Sequence, residues 1–210
     1  MKFDGIIFDL DGTLWDSCRT VAESWGLTLT ERFGLTELPT AADVAGIMGL
    51  TEEQIADKIF ARYGRASREI CRACCDGEPD YLSVHGGDIY PGTAEMLEEL
   101  SRKAKLFIVS NCQDGYVQSF LAYSSFGRFF TDIECAGRTG LDKSDNLRLL
   151  IERNGLKAPV YVGDTMGDYR SCVEAGVPFI HASYGFGQVP DVPSIASFEE
   201  LPDLIKKLPF

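Results

Sequence analysis

The sequence predicts an α/β fold, a doubly wound parallel sheet with an α-helical cap inserted near its start. From residue 105 onward, short apolar runs alternate with amphipathic segments, a pattern typical of parallel strands joined by helical crossovers. A long stretch with a helical pattern separates the first apolar run from the second. The length of 210 residues fits one such domain with an insertion.

The first predicted strand runs from Lys2 to Leu10, because this segment is rich in Phe and Ile and leads into an Asp-Gly turn. Helical signals follow it. Thr51 and Gln54 have the spacing of a capping box, and Thr40 with Asp43 is a second plausible helix start. These patterns favour helices in the segment that follows the first strand.

We therefore expect residues 16–88 to form a helical cap, and residues 1–15 with 89–210 to form the α/β core. The core pattern continues regularly to residue 182. It predicts helices at residues 93–103, 116–126, 144–154 and 169–175, and strands at residues 105–110, 130–135, 159–163 and 178–182.

The acidic composition argues against two classes of partner. The chain has 32 Asp and Glu against 20 Lys and Arg, a formal net charge of −12. Nucleic acids and anionic membranes both attract basic surfaces, so we expect neither as a partner. The N-terminal segment does not resemble a signal peptide, and no apolar window reaches the roughly 20 residues of a membrane span. We expect a cytoplasmic protein.

The cysteines number seven, and without a secretory signal they are expected to be reduced thiols. Cys71, Cys74 and Cys75 lie close together in the sequence. Zinc sites usually add a second pair of ligands, and neither histidine has the required spacing. Metal binding by this cluster is therefore not expected, and its role stays open.

Polar side chains gather at the predicted carboxyl ends of three strands, the edge at which doubly wound sheets bind ligands. They are Asp9, Asp11, Ser110, Asn111, Asp164 and Asp168, with Lys143 at the start of a predicted helix. Four carboxylates in one crevice repel each other unless a cation neutralises them. Oxygen ligands without a nearby His favour Mg²⁺. A metal, a lysine and small donors around a carboxylate nucleophile suit a phosphoryl group.

The same residues resemble the four-motif signature of the haloacid dehalogenase superfamily, in order and spacing along the whole chain. The motifs are Asp9-Leu-Asp-Gly-Thr-Leu14, Ser110-Asn111, Lys143 and Gly163-Asp-Thr-Met-Gly-Asp168. The chain looks most like phosphoglycolate phosphatase-like and β-phosphoglucomutase-like members, which have a Rossmann-like core and a small helical cap. Ser144 follows the motif lysine, where many relatives have Pro. The rival Lys157 lies near the beginning of the fourth strand, at the wrong edge of the sheet.

The resemblance implies a role for each motif residue. Asp9 would be the nucleophile that forms an aspartyl-phosphate, Asp11 the general acid and base, and Lys143 the catalytic cation. The implied phosphate-binding groups belong to Leu10, Ser110, Asn111 and Lys143. The implied Mg²⁺ ligands are Asp9, Asp11, Asp164 and Asp168, with Asp11 contributing its backbone carbonyl and Asp168 binding either metal water or Lys143.

Two features of the predicted cap leave alternatives open. In the family, the loop that here contains Ile47, Met48 and Gly49 projects substrate-selecting residues over the crevice, but a plain turn between helices is equally compatible with it. A basic stripe would form if the following segment were helical. Its members are Arg62, Arg65, Arg68 and Arg72. A solvated face is favoured over contact with a substrate anion.

The resulting prediction is a Mg²⁺-dependent phosphatase that acts on a small phosphorylated metabolite, such as phosphoglycolate or a sugar phosphate. A phosphomutase would share the whole core and differ in excluding water from the intermediate. A non-catalytic protein that binds a phosphate ligand or a partner on the same fold is the alternative of another class. The motifs do not select among phosphate esters, and they do not indicate an oligomeric state.

Overall fold

A computed structural model describes residues 2–208, and eight strands lie within them. Most are short and apolar, and the longest have six residues. Their bounds are β1 Gly5–Phe8, β2 Trp15–Asp16, β3 Asp88–Ile89, β4 Lys105–Ser110, β5 Phe130–Cys135, β6 Pro159–Gly163, β7 Phe179–Ala182 and β8 Ser194–Ile195.

Six of these strands form one sheet in the order β5-β4-β1-β6-β7-β8, and every neighbouring pair is parallel. β1 lies in the middle, paired with β4 on one side and β6 on the other. The carboxyl ends of β1, β4 and β6 therefore meet at one edge, as the sequence predicts. The predicted α/β fold with a doubly wound parallel sheet is confirmed.

Ten α-helices accompany the strands in the described part of the chain. Their bounds are α1 Cys18–Phe33, α2 Ala41–Ala45, α3 Glu52–Lys58, α4 Ser67–His85, α5 Thr93–Ser101, α6 Tyr116–Ser124, α7 Ala136–Thr139, α8 Lys143–Asn154, α9 Met166–Ala175 and α10 Leu201–Lys207. Short 3₁₀ segments span Phe60–Ala66, Phe126–Phe129 and Phe198–Glu200.

The central strand is apolar on both sides because helices cover both faces of the sheet. Ile6 and Phe8 point into a core that also contains Leu97 of α5 and Leu201 of α10. Ile7 points to the opposite face, where the second core includes residues of α8 and α9. This alternation of side chains along β1 places Asp9, the next residue, at the end of a fully buried strand.

The segment between β2 and β3 contains helices α1 to α4, as the helical pattern of the insertion predicts. β2 and β3 pair antiparallel, with Trp15 opposite Ile89 and Asp16 opposite Asp88. β2 lies where the predicted insertion begins, and β3 lies where it ends, so the two-stranded ribbon connects both ends of the insertion. The division into a core of residues 1–15 with 89–210 and a cap of residues 16–88 stays a prediction.

The two predicted helix starts are present. The Thr40 backbone N–H donates to Asp43 Oδ2 at 2.8 Å, and the Asp43 N–H donates back to Thr40 Oγ1 at 3.2 Å. At α3, Gln54 Oε1 accepts from the Thr51 backbone N–H at 3.0 Å. Both pairs satisfy backbone donors that a helix start leaves without partners.

Some boundaries differ from those that the pattern predicts. The ladder of β1 pairs only Gly5 to Phe8, so the strand is shorter than Lys2 to Leu10. Helix α9 begins at Met166 instead of Tyr169, because Thr165 caps it: Thr165 Oγ1 accepts from the Asp168 N–H at 3.2 Å. Reciprocal capping hydrogen bonds therefore fix this start, three residues earlier than the apolar pattern indicates.

The arginine stripe does not lie on one helix. Gly64 has a φ of +69°, which breaks the segment between the 3₁₀ turn that contains Arg62 and helix α4. Arg62 lies 3.4 Å from Glu37, while Arg68 and Arg72 belong to α4. The three cysteines of the cluster are buried in α4 as free thiols. Across residues 2–208, no helix is long and apolar enough to cross a membrane.

Candidate active site

The site lies at the carboxyl edge of the sheet, where β1 and β6 end side by side. Asp9 follows β1, and its backbone N–H donates to the Val162 carbonyl of β6 at 2.8 Å. Asp164 follows β6 directly. Lys143 is the first residue of α8, and its side chain reaches the same edge. The sheet topology thus brings together residues that lie 134 positions apart in the sequence.

Lys143 forms a buried ionic cluster with two carboxylates. Its Nζ lies 3.0 Å from Asp9 Oδ1 and 2.5 Å from Asp168 Oδ1, and all three side chains are at most 4% exposed. Lys157, the alternative weighed from the sequence, is instead at the opposite edge, where its backbone N–H donates to Asp4 Oδ2. The geometry therefore places Lys143, and not Lys157, against Asp9.

Burial and charge oppose each other in this cluster. Burial raises the pKa of Asp9 to about 7, reinforced by the neighbouring Asp168, although Lys143 and the Leu10 N–H act in the other direction. For Asp168 burial is outweighed by Lys143, which holds its pKa below the ordinary value. Burial also opposes the charge of Lys143, but Asp168 and Asp9 together raise its pKa. Lys143 and Asp168 thus form an ion pair in which both groups are charged. Asp9 also contacts Lys143, but its raised pKa makes it the more easily protonated of the two carboxyl groups.

Asp164 has one buried oxygen without a hydrogen-bond donor among residues 2–208. Its Oδ2 accepts from the Phe186 backbone N–H at 2.7 Å. Its Oδ1 is buried and has no hydrogen-bond partner among residues 2–208. Burial, followed by the charges of Asp168 and Asp9, raises the pKa of Asp164 to about 8. A buried acceptor without a donor is costly unless an ion or a proton satisfies it.

One oxygen each of Asp9, Asp164 and Asp168 lie within 4.8 Å of one another. Oxygen-only donors of this kind fit a hard divalent cation such as Mg²⁺. Both oxygens of Asp168 already have partners, because Oδ1 faces Lys143 and Oδ2 accepts from Thr165. Asp9 and Asp164 are therefore the carboxylates best placed to bind a metal directly, while Asp168 orients Lys143.

Glycine is required beside Asp164. Gly12 has a φ of +79°, and a Cβ there would lie 2.2 Å from Asp164 Oδ2. A Cβ on Gly185 would lie 2.3 Å from the Gly12 carbonyl oxygen. The Asp-Gly turn after β1 therefore also leaves room for the Asp164 carboxylate, which the turn signal in the sequence does not predict.

Asp11 lies outside the three-carboxylate group and has its own donors. Ser17 Oγ donates to Asp11 Oδ1 at 2.6 Å, and Tyr116 Oη donates to the same oxygen at 3.0 Å. Burial raises the pKa of Asp11 to about 6, and these two hydroxyl groups moderate the rise. The sequence pattern predicts neither donor. Ser17 lies at the start of the predicted cap, which is the one hint in the sequence that it lies near the site. No pattern in the sequence identifies Tyr116.

The residues predicted to bind phosphate surround the same opening. Ser110 ends β4, and its Oγ accepts from the Cys112 N–H at 3.3 Å. The side-chain amide of Asn111 donates to the Gly49 carbonyl at 2.9 Å, which joins the core to the α2–α3 loop. Leu10 is buried, and its backbone N–H helps to lower the pKa of the Asp9 carboxyl group. Backbone and hydroxyl groups are thus available beside Asp9 for the oxygens of a ligand.

A cavity of about 340 Å³ opens above these groups, between the core and the inserted helices. Its wall includes four predicted core residues, Asp9, Asp11, Ser110 and Asn111, and all three predicted cap residues, Ile47, Met48 and Gly49. This volume is in the range of small-molecule sites, about 300–1,000 Å³. The wall includes Cys75 but no member of the arginine stripe from the described residues.

Comparisons with known proteins agree with this architecture. The chain is 28% identical to a phosphoglycolate phosphatase of Rhodospirillum rubrum, over 95% of this chain and 88% of that protein. It is 26% identical to a 5'-nucleotidase of Pseudomonas aeruginosa, over 89% of this chain and 86% of that protein. A crystal structure of a predicted phosphatase from Clostridium acetobutylicum matches the fold with a TM-score of 0.79 at 21% identity, covering 99% of this chain and 100% of that one.

A family model described as haloacid dehalogenase-like hydrolase matches residues 6–182. This range begins within β1 and ends with β7, so it includes every motif residue discussed above. The resemblance and the hydrolase class predicted from the sequence are both confirmed. The chain belongs to the haloacid dehalogenase-like hydrolase family.

Proposed function

We propose that this hydrolase is a Mg²⁺-dependent phosphatase that cleaves a small phosphate monoester through an aspartyl-phosphate on Asp9. One observation carries the proposal: Asp9 lines a small-molecule cavity, lies 3.0 Å from a buried lysine, and has an oxygen of Asp164, a buried carboxyl with an unpartnered Oδ1, within 4.8 Å. A cation on one side and a metal-ready oxygen on the other suit a nucleophile that must approach an anionic phosphoryl group. The relatives named phosphoglycolate phosphatase and 5'-nucleotidase also act on phosphate monoesters.

Asp9 and Asp164 would hold Mg²⁺, together with the Asp11 backbone carbonyl. When bound, the ion neutralises phosphoryl charge and lowers the pKa of the Asp9 carboxyl group. The residues of the chain supply the rest. Ser110 and the N–H groups of Leu10 and Asn111 hold phosphoryl oxygens, and Lys143 keeps Asp9 oriented and offsets the negative charge.

Asp9 Oδ attacks phosphorus and the ester oxygen leaves with its electron pair. Asp11 gives its proton to that oxygen. In the second half of the reaction, water attacks the phosphorus and gives its proton to Asp11, and the bond between Asp9 Oδ and phosphorus breaks, which releases inorganic phosphate and returns the Asp9 carboxylate. A pKa of about 6 allows Asp11 to change its protonation state near neutral pH, which this double role needs. Ser17 and Tyr116 hold one of its oxygens, so the other is the oxygen available for proton transfer.

The proposal is tested by Asp9→Asn, which keeps the shape of the side chain but removes the nucleophile. Phosphate release from p-nitrophenyl phosphate should require Mg²⁺, stop with a chelator, and fall by at least about 10³-fold in the variant. Asp203→Asn, a change in an exposed aspartate on α10, is the matched control and should keep full activity. Circular dichroism should show both variants folded.

Near-normal turnover by Asp9→Asn would rule out Asp9 as nucleophile, and full activity in the chelator would rule out the metal. A hexose 1-phosphate substrate separates the hydrolase from the phosphomutase. The hydrolase releases free phosphate, whereas a phosphomutase yields the 6-phosphate.

A further inference from the structure

The cavity has a second buried carboxyl group, on the side formed by the inserted helices. Glu78 of α4 is 3% exposed and lines the cavity together with Asp11 and Tyr116. Its two oxygens accept from two different elements: Oε1 from the indole N–H of Trp25, and Oε2 from the Gln113 amide at 2.6 Å. Gln113 belongs to the loop after β4, two residues beyond Asn111. Glu78 is therefore fixed in position at the boundary between the inserted helices and the core.

The partners of Glu78, Trp25 and Gln113 with the Cys75 side chain beside them, are hydrogen-bond donors. The Gln113 amide nitrogen also donates to the Cys75 carbonyl at 3.1 Å, which fixes which end of the amide faces Glu78. A carboxylate can accept further hydrogen bonds at each oxygen. Glu78 therefore presents acceptor capacity to the cavity, and it is suited to a ligand group that donates.

The cavity wall contains no cation to receive an anionic group. From the described residues it includes no lysine, arginine or histidine. Beside the wall residues Glu52 and Glu53, Arg68 lies 3.2 Å from Glu53 and Arg72 lies 3.9 Å from Glu52, while Lys58 donates to the Gly46 carbonyl at 2.6 Å. Lys143 lies below Asp9, held by two carboxylates.

Burial disfavours negative charge on this side of the cavity. Burial raises the pKa of Glu78 to about 8, even though Gln113 and Trp25 both favour the ionised form. A carboxylate on a bound ligand would meet the same desolvation and would add repulsion from an ionised Glu78. A hydroxyl group or an ammonium group would instead satisfy the free acceptor positions.

We infer that Glu78 selects the alcohol part of the substrate, favouring a phosphate monoester whose alcohol bears a hydroxyl or ammonium donor and disfavouring one whose alcohol bears a carboxylate. This inference rests on the proposed phosphatase activity. The alcohol part of phosphoglycolate bears a carboxylate. The inferred specificity of this chain therefore differs from the one that its relatives named phosphoglycolate phosphatase carry in their name.

Three esters of equal chain length test the inference: 2-hydroxyethyl phosphate, phosphoethanolamine and phosphoglycolate, which are neutral, cationic and anionic at the far end. They are compared by kcat/KM with Mg²⁺ at about pH 8.5, where an ionised Glu78 is favoured. Each of the first two should exceed phosphoglycolate by at least about tenfold, because like charges in a desolvated site repel strongly. The ratio between the first two shows whether hydroxyl or ammonium is preferred.

Glu78→Gln should reduce the discrimination against phosphoglycolate by about tenfold, because it removes the negative charge and keeps the size of the side chain. Comparing substrates on one preparation cancels any loss of folded protein. Glu134→Gln is the matched control: Glu134 is also a buried glutamate, it pairs with Arg138 and Arg153 outside the cavity wall, and its loss should leave the ratio unchanged.

Two results would overturn the inference while leaving the phosphatase intact. One is a wild-type kcat/KM for phosphoglycolate equal to or above those of the other esters. The other is an unchanged ratio in Glu78→Gln, which would limit Glu78 to joining α1, α4 and the core. Absence of turnover of all three esters and of p-nitrophenyl phosphate would instead reject the proposed function itself.

Discussion

Replacing Lys143 with methionine probes the charge balance beneath the cavity. The side chain is 2% exposed and touches Asp9 and Asp168 at 3.0 and 2.5 Å. Methionine keeps most of the length of the lysine chain but removes the only positive charge that faces these carboxylates among residues 2–208. Removing one partner of a buried ionic cluster leaves uncompensated charge and costs about 3–5 kcal/mol of stability.

The size of the effect depends on pH in a defined direction. Lys143 lowers the pKa of Asp9, so its loss moves that pKa further above about 7 and makes protonation of Asp9 easier. A proton taken up by Asp9 relieves part of the repulsion from Asp168. The variant should therefore lose less stability near pH 6 than near pH 8, when both are measured by urea unfolding in a chelator.

For a chain of this size about 1 kcal/mol corresponds to roughly 2–4 °C in melting temperature, so Lys143→Met should melt about 6–20 °C lower near pH 8. Its kcat should fall by about 10²–10³-fold, the usual effect of removing one group that stabilises developing charge. Adding Asp168→Asn should recover part of the stability, because the double variant no longer buries the unpaired Asp168 charge.

Lys157→Met is the matched control, an exposed lysine at the opposite edge of the sheet, and should change neither quantity. If the melting temperature and kcat of Lys143→Met equalled those of the wild type, Lys143 could not be the group that orients Asp9 and offsets its charge. If the stability loss were greater at pH 6 than at pH 8, the assignment of the relieving proton to Asp9 would be wrong.

Two further predictions concern the metal side of the site. Gly12→Ala should lower Mg²⁺ affinity and activity together, because the added Cβ would lie 2.2 Å from Asp164 Oδ2. Calorimetric titration with Mg²⁺ measures the affinity. An unchanged affinity would contradict this prediction. The metal-free protein should lose stability as pH rises from about 5 to about 8, because Asp9, Asp164 and Glu78 have raised pKa values and bind more protons folded than unfolded. Mg²⁺ should restore more stability at pH 8 than at pH 5, and thermal melting that shows the opposite order would refute this account.

The sequence predicts the core well because its signals are local. Apolar runs ended by Asp-Gly or Gly-Asp identify the central strands, and parallel pairing then brings their ends to one edge whatever the loops between them do. This is why Asp9 and Asp164 could be placed together from the sequence, and why Lys143 could be preferred to Lys157. The family, the fold class and the hydrolase class predicted in this way are confirmed, whereas the individual catalytic roles stay predictions.

The side of the cavity that the inserted helices form, where the alcohol part of the substrate would lie, could not be predicted in the same way. Ser17, Tyr116, Glu78 and Gln113 have no shared spacing, and they meet only when the inserted helices pack over the core. In a helical pattern a single Glu is most simply a solvated residue, and nothing in the sequence around Glu78 indicates that Trp25 and Gln113 bury it. The arginine stripe shows the converse case, since its helical spacing does not survive the break at Gly64.

The two halves of the cavity impose opposite electrostatic requirements on one ligand. At the carboxyl edge of the sheet, Lys143 offsets the negative charge of Asp9, and a Mg²⁺ held by Asp9 and Asp164 would offset that of a phosphoryl group. Near the inserted helices, Glu78 and the absence of any cation from the described wall exclude a second anionic group. In a chain with a net charge of −12, an anionic group is therefore expected to bind where a lysine and a bound metal ion offset its negative charge. An ester with its negative charge confined to the phosphate satisfies both halves, and reversing its orientation satisfies neither.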